Sequence, residues 1–131
     1  MIHKTSIIDK SAKISKNVNI GPYTVIGPNV EIGENVEIYS HVNIAGNTYI
    51  MKNCQFGLNS IIHQDQVVGS FSMIGMGTII GKKMVLKPGY IYVGSSPKGI
   101  IKNKVSLRRN KVSEKDLKSE TKRFEKLIKD V

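Results

Sequence analysis

The chain has 131 residues, a formal charge of +10 and one cysteine, Cys54. That length suits one domain, and a lone cysteine excludes an internal disulfide and a cysteine-based zinc site. No apolar run approaches the roughly 18–20 residues of a membrane span. No basic-then-apolar leader opens the chain, so a cytoplasmic protein is expected.

From Ile2 onward a large apolar residue recurs every six positions: Ile2, Ile8, Ile14, Ile20, Ile26, Ile32, Ile38, Ile44, Ile50, Phe56, Ile62, Val68, Ile74, Ile80 and Leu86. Two positions before each lies a mostly small or β-branched residue, as in Val18, Thr24, Val30, Val36, Cys54 and Ser60. A spacing of two places both side chains on one face of a strand. Cys54 therefore reads as packing. The residue after the large apolar one is often glycine (Gly21, Gly27, Gly33, Gly57, Gly69, Gly75, Gly81). Asparagine recurs two further on (Asn17, Asn29, Asn35, Asn47, Asn53, Asn59). Both tolerate positive φ, so each hexad is a short strand followed by a corner, and positive φ is expected of the glycines as well as the asparagines. Three strands and three corners make a triangular coil of 18 residues, and fifteen hexads make five coils. Stacked at about 4.8 Å, they form a prism roughly 24 Å tall.

The expected organisation is a β-helix over residues 1–98, a basic connecting segment over 99–112 and a C-terminal helix over 113–131. Residues 1–97 carry 8 basic and 5 acidic side chains, whereas residues 98–131 carry 12 and 5. The tail lacks the interleaved aromatics that stack bases, so no nucleic-acid partner is expected. Ser113 is the expected N-cap, with Asp116 completing a variant capping box. Leu117, Phe124, Leu127 or Ile128, and Val131 form one apolar stripe, expected to pack on a prism face.

The hexad pattern resembles the left-handed parallel β-helix of the hexapeptide-repeat acyltransferases, and the left hand is implied by that resemblance. Within the superfamily, "IGPYTVIGPNVEIGENVEIYSHVNIAGNTYIMKNCQF" and "PGYIYVGSSPKGIIKNKVSLRRNKVS" look like the UDP-N-acetylglucosamine O-acyltransferases. The flat faces of the prism favour a homotrimer, and the resemblance implies sites between subunits and a lipid A biosynthesis-like activity. The reaction implied is acyl transfer from coenzyme A or acyl carrier protein to a sugar or sugar nucleotide. Acyl carrier protein is then a partner, the acyl thioester is the donor substrate, and no bound cofactor is expected. The family's catalytic text, roughly A-H-D-C-x-[IV]-G, stands here as His63-Gln64-Asp65-Gln66-Val67-Val68-Gly69, with the histidine one residue early.

Acyl transfer needs a base for the acceptor proton and N–H donors for the tetrahedral oxyanion. His63 follows the inward Ile62 at a corner, so its ring should project outward as the base. Asp65 could orient it. Gly81, 18 residues later and one coil above, could present a bare N–H to the oxyanion. His41, Gln64, Lys98, Arg108 and Arg109 are the candidate substrate contacts.

"IIHQDQVVGSFSMIGMGTII" also looks like γ-class carbonic anhydrase, which implies three zinc-binding histidines. The position five before His63 is Leu58, two coils below that is Pro22, and His3 and His41 have the wrong spacings. No metal site is expected on ligand count. A non-catalytic trimeric scaffold is the other alternative.

Overall fold

The computed structural model describes residues 1–95, 97 and 101–130. The hexads from Ile8 to Ile80 each form a two-residue strand, Ile2 and Leu86 make single bridges, and three sheets of parallel coils stack into a left-handed β-helix of about five coils followed by a C-terminal helix. The first sheet comprises β1 (Ile7–Ile8), β4 (Val25–Ile26), β7 (Asn43–Ile44), β10 (Ile61–Ile62) and β13 (Ile79–Ile80). The second comprises β2 (Lys13–Ile14), β5 (Glu31–Ile32), β8 (Tyr49–Ile50) and β11 (Val67–Val68). The third comprises β3 (Asn19–Ile20), β6 (Glu37–Ile38), β9 (Gln55–Phe56), β12 (Met73–Ile74), β14 (Tyr90–Tyr92) and β15 (Ile101–Lys102). Pairing holds an 18-residue register, as in Ile26↔Ile44 and Ile62↔Ile80.

The inward residues form one continuous core along the axis. The core extends one hexad beyond Leu86: Tyr92 is 1% exposed and stacks on Ile74. Burial pushes the Tyr92 phenol up to about 12. Polar members of the inward set bond back to carbonyls of the coils, as when the Thr24 hydroxyl donates to Tyr39 O at 2.9 Å. At the other end Ile2 is exposed.

The corners divide two roles that the sequence had merged. Left-handed φ falls on the asparagine position, for example Asn29 (57°) and Asn35 (59°), while Gly27 and Gly33 lie outside that region. The glycines are needed for a different reason. A Cβ on Gly33 would stand 2.7 Å from Lys52 N, and one on Gly27 would stand 2.8 Å from Gly46 N. The backbone of the next coil occupies the space. Gly27→Val or Gly33→Val should therefore destabilise by about 1–3 kcal/mol through overpacking. Unchanged melting temperatures for both would refute the close approach.

The stack ends where the register slips. Ile79 bridges Ser95 rather than the residue 18 positions on, and β15 then pairs antiparallel with β14. The segment expected to be a connector therefore carries β15 and a short helix, α1 (Lys104–Arg109). Asn103 anchors it: this buried side chain donates to Phe71 O at 3.1 Å and caps α1 by accepting from Ser106 N–H.

The second helix, α2 (Glu114–Lys129), starts in a complete Ser113–Asp116 capping box. The Ser113 N–H and hydroxyl hold the Asp116 carboxyl below its ordinary value of 3.8. That contribution is present above the unfolded pKa and is lost as pH falls through the lowered folded pKa. The apolar stripe packs on the second sheet. Phe124 is 1% exposed and buried with Met51 and Val67, flanked by Tyr49, Leu127 and Ile128. Glu120 accepts from the Ser70 hydroxyl at 2.9 Å and pairs with Lys52 at 3.4 Å. Val131 lies outside the described residues. Among the described residues, no helix is long and apolar enough to cross a membrane.

Candidate functional site

His63 sits at the corner between β10 and β11. Its backbone N–H donates to Ile80 O at 3.0 Å, so the coil above fixes its position. The ring is half-buried, and Nδ1 lies 3.0 Å from the Gln64 carbonyl. A carbonyl only accepts, so this contact requires a proton on Nδ1. In the neutral ring, Nε2 then carries the free lone pair. That is the tautomer a general base needs.

The contact to Gln64 O takes the place expected for Asp65. Asp65 is exposed at a φ of 60°, and its backbone N–H donates to Gly46 O at 3.1 Å. At a corner, side-chain direction follows local torsions, and a neighbouring carbonyl is within easier reach than a carboxylate two residues on. The Gln64 side chain is exposed.

Gly81 lies one coil above His63. Its N–H meets the Met84 thioether at 3.3 Å, and its carbonyl accepts from Gln66 Nε2 at 2.9 Å. Thioether sulfur is a weak acceptor, so a carbonyl oxygen can replace it. Sequence reasoning overlooked Gln66 as a positioning group. Its signal was present, a long polar residue in an inward series of small ones. Cys54 is also accounted for. It is fully buried, burial pushes its thiol up to about 12, and it donates to Gly69 O at 3.1 Å. It is a packed thiol and no nucleophile.

The other described candidates do not converge on His63 within one chain. His41 occupies the corner between β6 and β7, at the opposite edge of the first sheet. It has a φ of 60°, and its ring centroid lies 5.2 Å from that of Tyr23. Arg108 and Arg109 end α1 and are exposed. Arg109 borders a groove of about 510 Å³ with Glu37, Tyr39, Gln55 and Asn110. Lys98 lies outside the described residues. Among the described residues, no cluster of three His, Cys, Asp or Glu side chains is placed to hold a metal ion.

The architecture is that of the hexapeptide-repeat β-helix, and the chain resembles solved transferases of that fold. A family model described as GMPPB C-terminal domain matches residues 2–114. The chain belongs to the GMPPB C-terminal domain family. PerB from Caulobacter crescentus, solved with CoA and GDP-perosamine, is 14% identical with a TM-score of 0.61, over 76% of this chain and 56% of PerB. The chain thus spans little more than half the length of that relative. AntD, an N-acyltransferase from Bacillus cereus solved as a point mutant with dTDP and coenzyme A, is 22% identical with a TM-score of 0.55, over 84% of each chain. UDP-N-acetylglucosamine acyltransferase of Francisella novicida is 18% identical with a TM-score of 0.46, over 93% of this chain and 78% of that enzyme. At that score it is not singled out from other transferases of this fold. No curated protein matches the chain.

Proposed function

We propose that the protein transfers an acyl group from a thioester, coenzyme A or acyl carrier protein, to a hydroxyl or amine of a sugar nucleotide. The observation that carries this reading is the His63 corner: an outward imidazole with Nδ1 against Gln64 O, below the Gly81 N–H. Nε2 takes the acceptor proton as its oxygen or nitrogen attacks the thioester carbon. The Gly81 N–H meets the oxyanion in place of the Met84 sulfur. The tetrahedral intermediate then expels the thiolate, which recovers the proton. Asp65, two residues away, favours the transient imidazolium by its charge, and Gln64 borders the acceptor. The tail's positive charge suits phosphate groups of donor or acceptor, with Lys98, Arg108 and Arg109 as the contacts. The test is thiol release from acetyl-CoA with UDP-, GDP- and dTDP-amino sugars as acceptors. Release stimulated by at least one acceptor supports the reading, and none from any of them refutes it.

The proposed assembly is a homotrimer. Ile61, Val67, Met73, Ile79 and Val85 share the outward strand-centre position of the hexad. In the fold they divide among three faces, and Val67 is covered by α2. The first sheet keeps Ile7, Val25, Ile61 and Ile79 exposed, and such a face favours an interface. A threefold ring closing over it would bring the His63 edge of one subunit to the His41 edge of the next, with His63 about one coil higher. Light scattering at micromolar concentration should give three times the chain mass; a monomer would contradict the assembly.

A second reading is a non-catalytic scaffold. It is favoured by the family model, which describes a C-terminal domain, that is, a portion of a larger protein.

A further inference from the structure

Thirteen corner positions, spaced by six from Asn17 to Gly89, adopt left-handed φ. Nine are Asn, Asp or Gly, the residues that accept this conformation most readily. The exceptions are Tyr23, His41, Phe71 and Lys83. Phe71 is explained by burial, with the Lys52 ammonium 5.9 Å from its ring centre. Lys83 is an exposed flexible chain. Tyr23 and His41 have no such explanation. Tyr23 is a bulky ring in an unfavourable backbone conformation, and His41, a type that enters this region more readily, lies against it; both are exposed, Tyr23 by 59%. Strained backbone at an exposed ring is a mark of function rather than packing.

These two rings lie one above the other on adjacent coils of the same corner. They meet at 5.2 Å between centroids, tilted by 40°. Tyr39 begins the same corner as His41 and is 47% exposed. A groove of about 390 Å³ runs beside it, floored by Ile20, Pro22 and Ile38. Gly21 lies below Tyr39 and adds no side chain there. Glu37 and Tyr39 border both this groove and the one that contains Arg109.

The geometry points to a nucleobase site at this corner. The base stacks on the Tyr39 ring beside the groove, and the Tyr23–His41 pair extends the aromatic surface of the same corner. Glu37, whose Oε1 accepts from Asn19 Nδ2 at 2.8 Å, takes a base N–H on its other oxygen, and the phosphates extend toward Arg109. The charges complement a nucleotide at both ends, with a carboxylate for the base edge and a guanidinium for the phosphate. This deepens the sugar-nucleotide reading and rests on it for the identity of the substrate. His63 stands about one coil higher, on the other edge of the first sheet.

Saturation-transfer NMR with UDP, GDP and dTDP tests the site without any acyl donor. At least one should show saturation of its base protons, whereas ribose 5-phosphate should show none. The Tyr23→Asn/His41→Asn double variant places the preferred residue at both corners. It should keep or raise the melting temperature while weakening nucleotide binding by at least about tenfold. Tyr39→Ala, which alters no left-handed position, should weaken binding similarly. Binding by none of the three nucleotides, undiminished binding by the variants, or a lower melting temperature of the double variant would each overturn the site. Nucleotide binding without acyl transfer would refute the transferase reading alone. Acyl transfer without base saturation would refute this site alone.

Discussion

His63→Ala should lower the acyl-transfer rate by at least about 10²-fold, the scale of losing a general base. That corresponds to about 2.7 kcal/mol of transition-state stabilisation. Folding should be unaffected, because the contact that positions the corner is the backbone bond to Ile80 O and alanine retains it. Asp65→Asn should cost less, since it removes a charge and leaves Nε2 available. Gln64 contributes its carbonyl to Nδ1, so substitution of its side chain should preserve the tautomer. Steady-state rates with a saturating thioester, alongside melting temperatures, check the set. Full activity of His63→Ala would assign the base elsewhere and leave this histidine a corner residue.

The second large effect concerns stability. Phe124→Ala should destabilise by about 3–5 kcal/mol, because the ring is fully buried between α2 and the second sheet. The remaining ties of α2 are the half-buried Leu127 and Ile128 and polar contacts, among them Glu120–Lys52 and Arg123 to the Tyr49 hydroxyl at 2.8 Å. None of these buries a side chain as completely as Phe124 does. The helix should therefore lose hydrogen-exchange protection before the coils do. Phe124→Leu should recover part of the loss. Uniform protection across helix and coils in Phe124→Ala, with an unchanged melting temperature, would show that α2 does not depend on this contact.

The coils were legible because their period is local. Each inward residue repeats the demand of the one six positions before, and no distant contact alters the register until Gly94. There the signal stops: the slip that bridges Ser95 to Ile79, the antiparallel β15 and α1 depend on packing against finished coils. The cover over Val67 was hidden for the same reason, since an outward valine reads as exposed until α2 lies on it. The corner glycines were recognised but given the wrong duty. Composition cannot separate a residue that needs positive φ from one that must lack a Cβ. At the candidate site the outward direction of His63 followed from its place after Ile62. Its bond to Gln64 O follows from side-chain torsions that no hexad pattern specifies. The Tyr23–His41 pair shows the reverse: it breaks the Asn rule in the sequence, and its meaning emerged only once both φ values and both exposures were known.

The most direct measurement is mass spectrometry of UDP-, GDP- and dTDP-amino sugars after incubation of the purified protein with ¹³C-acetyl-CoA. An acyltransferase working through the His63 corner should add one labelled acetyl group to at least one acceptor, and His63→Ala should suppress that product. Unmodified acceptors, in the presence of a folded protein that binds both coenzyme A and a nucleotide, would contradict acyl transfer and leave the scaffold reading.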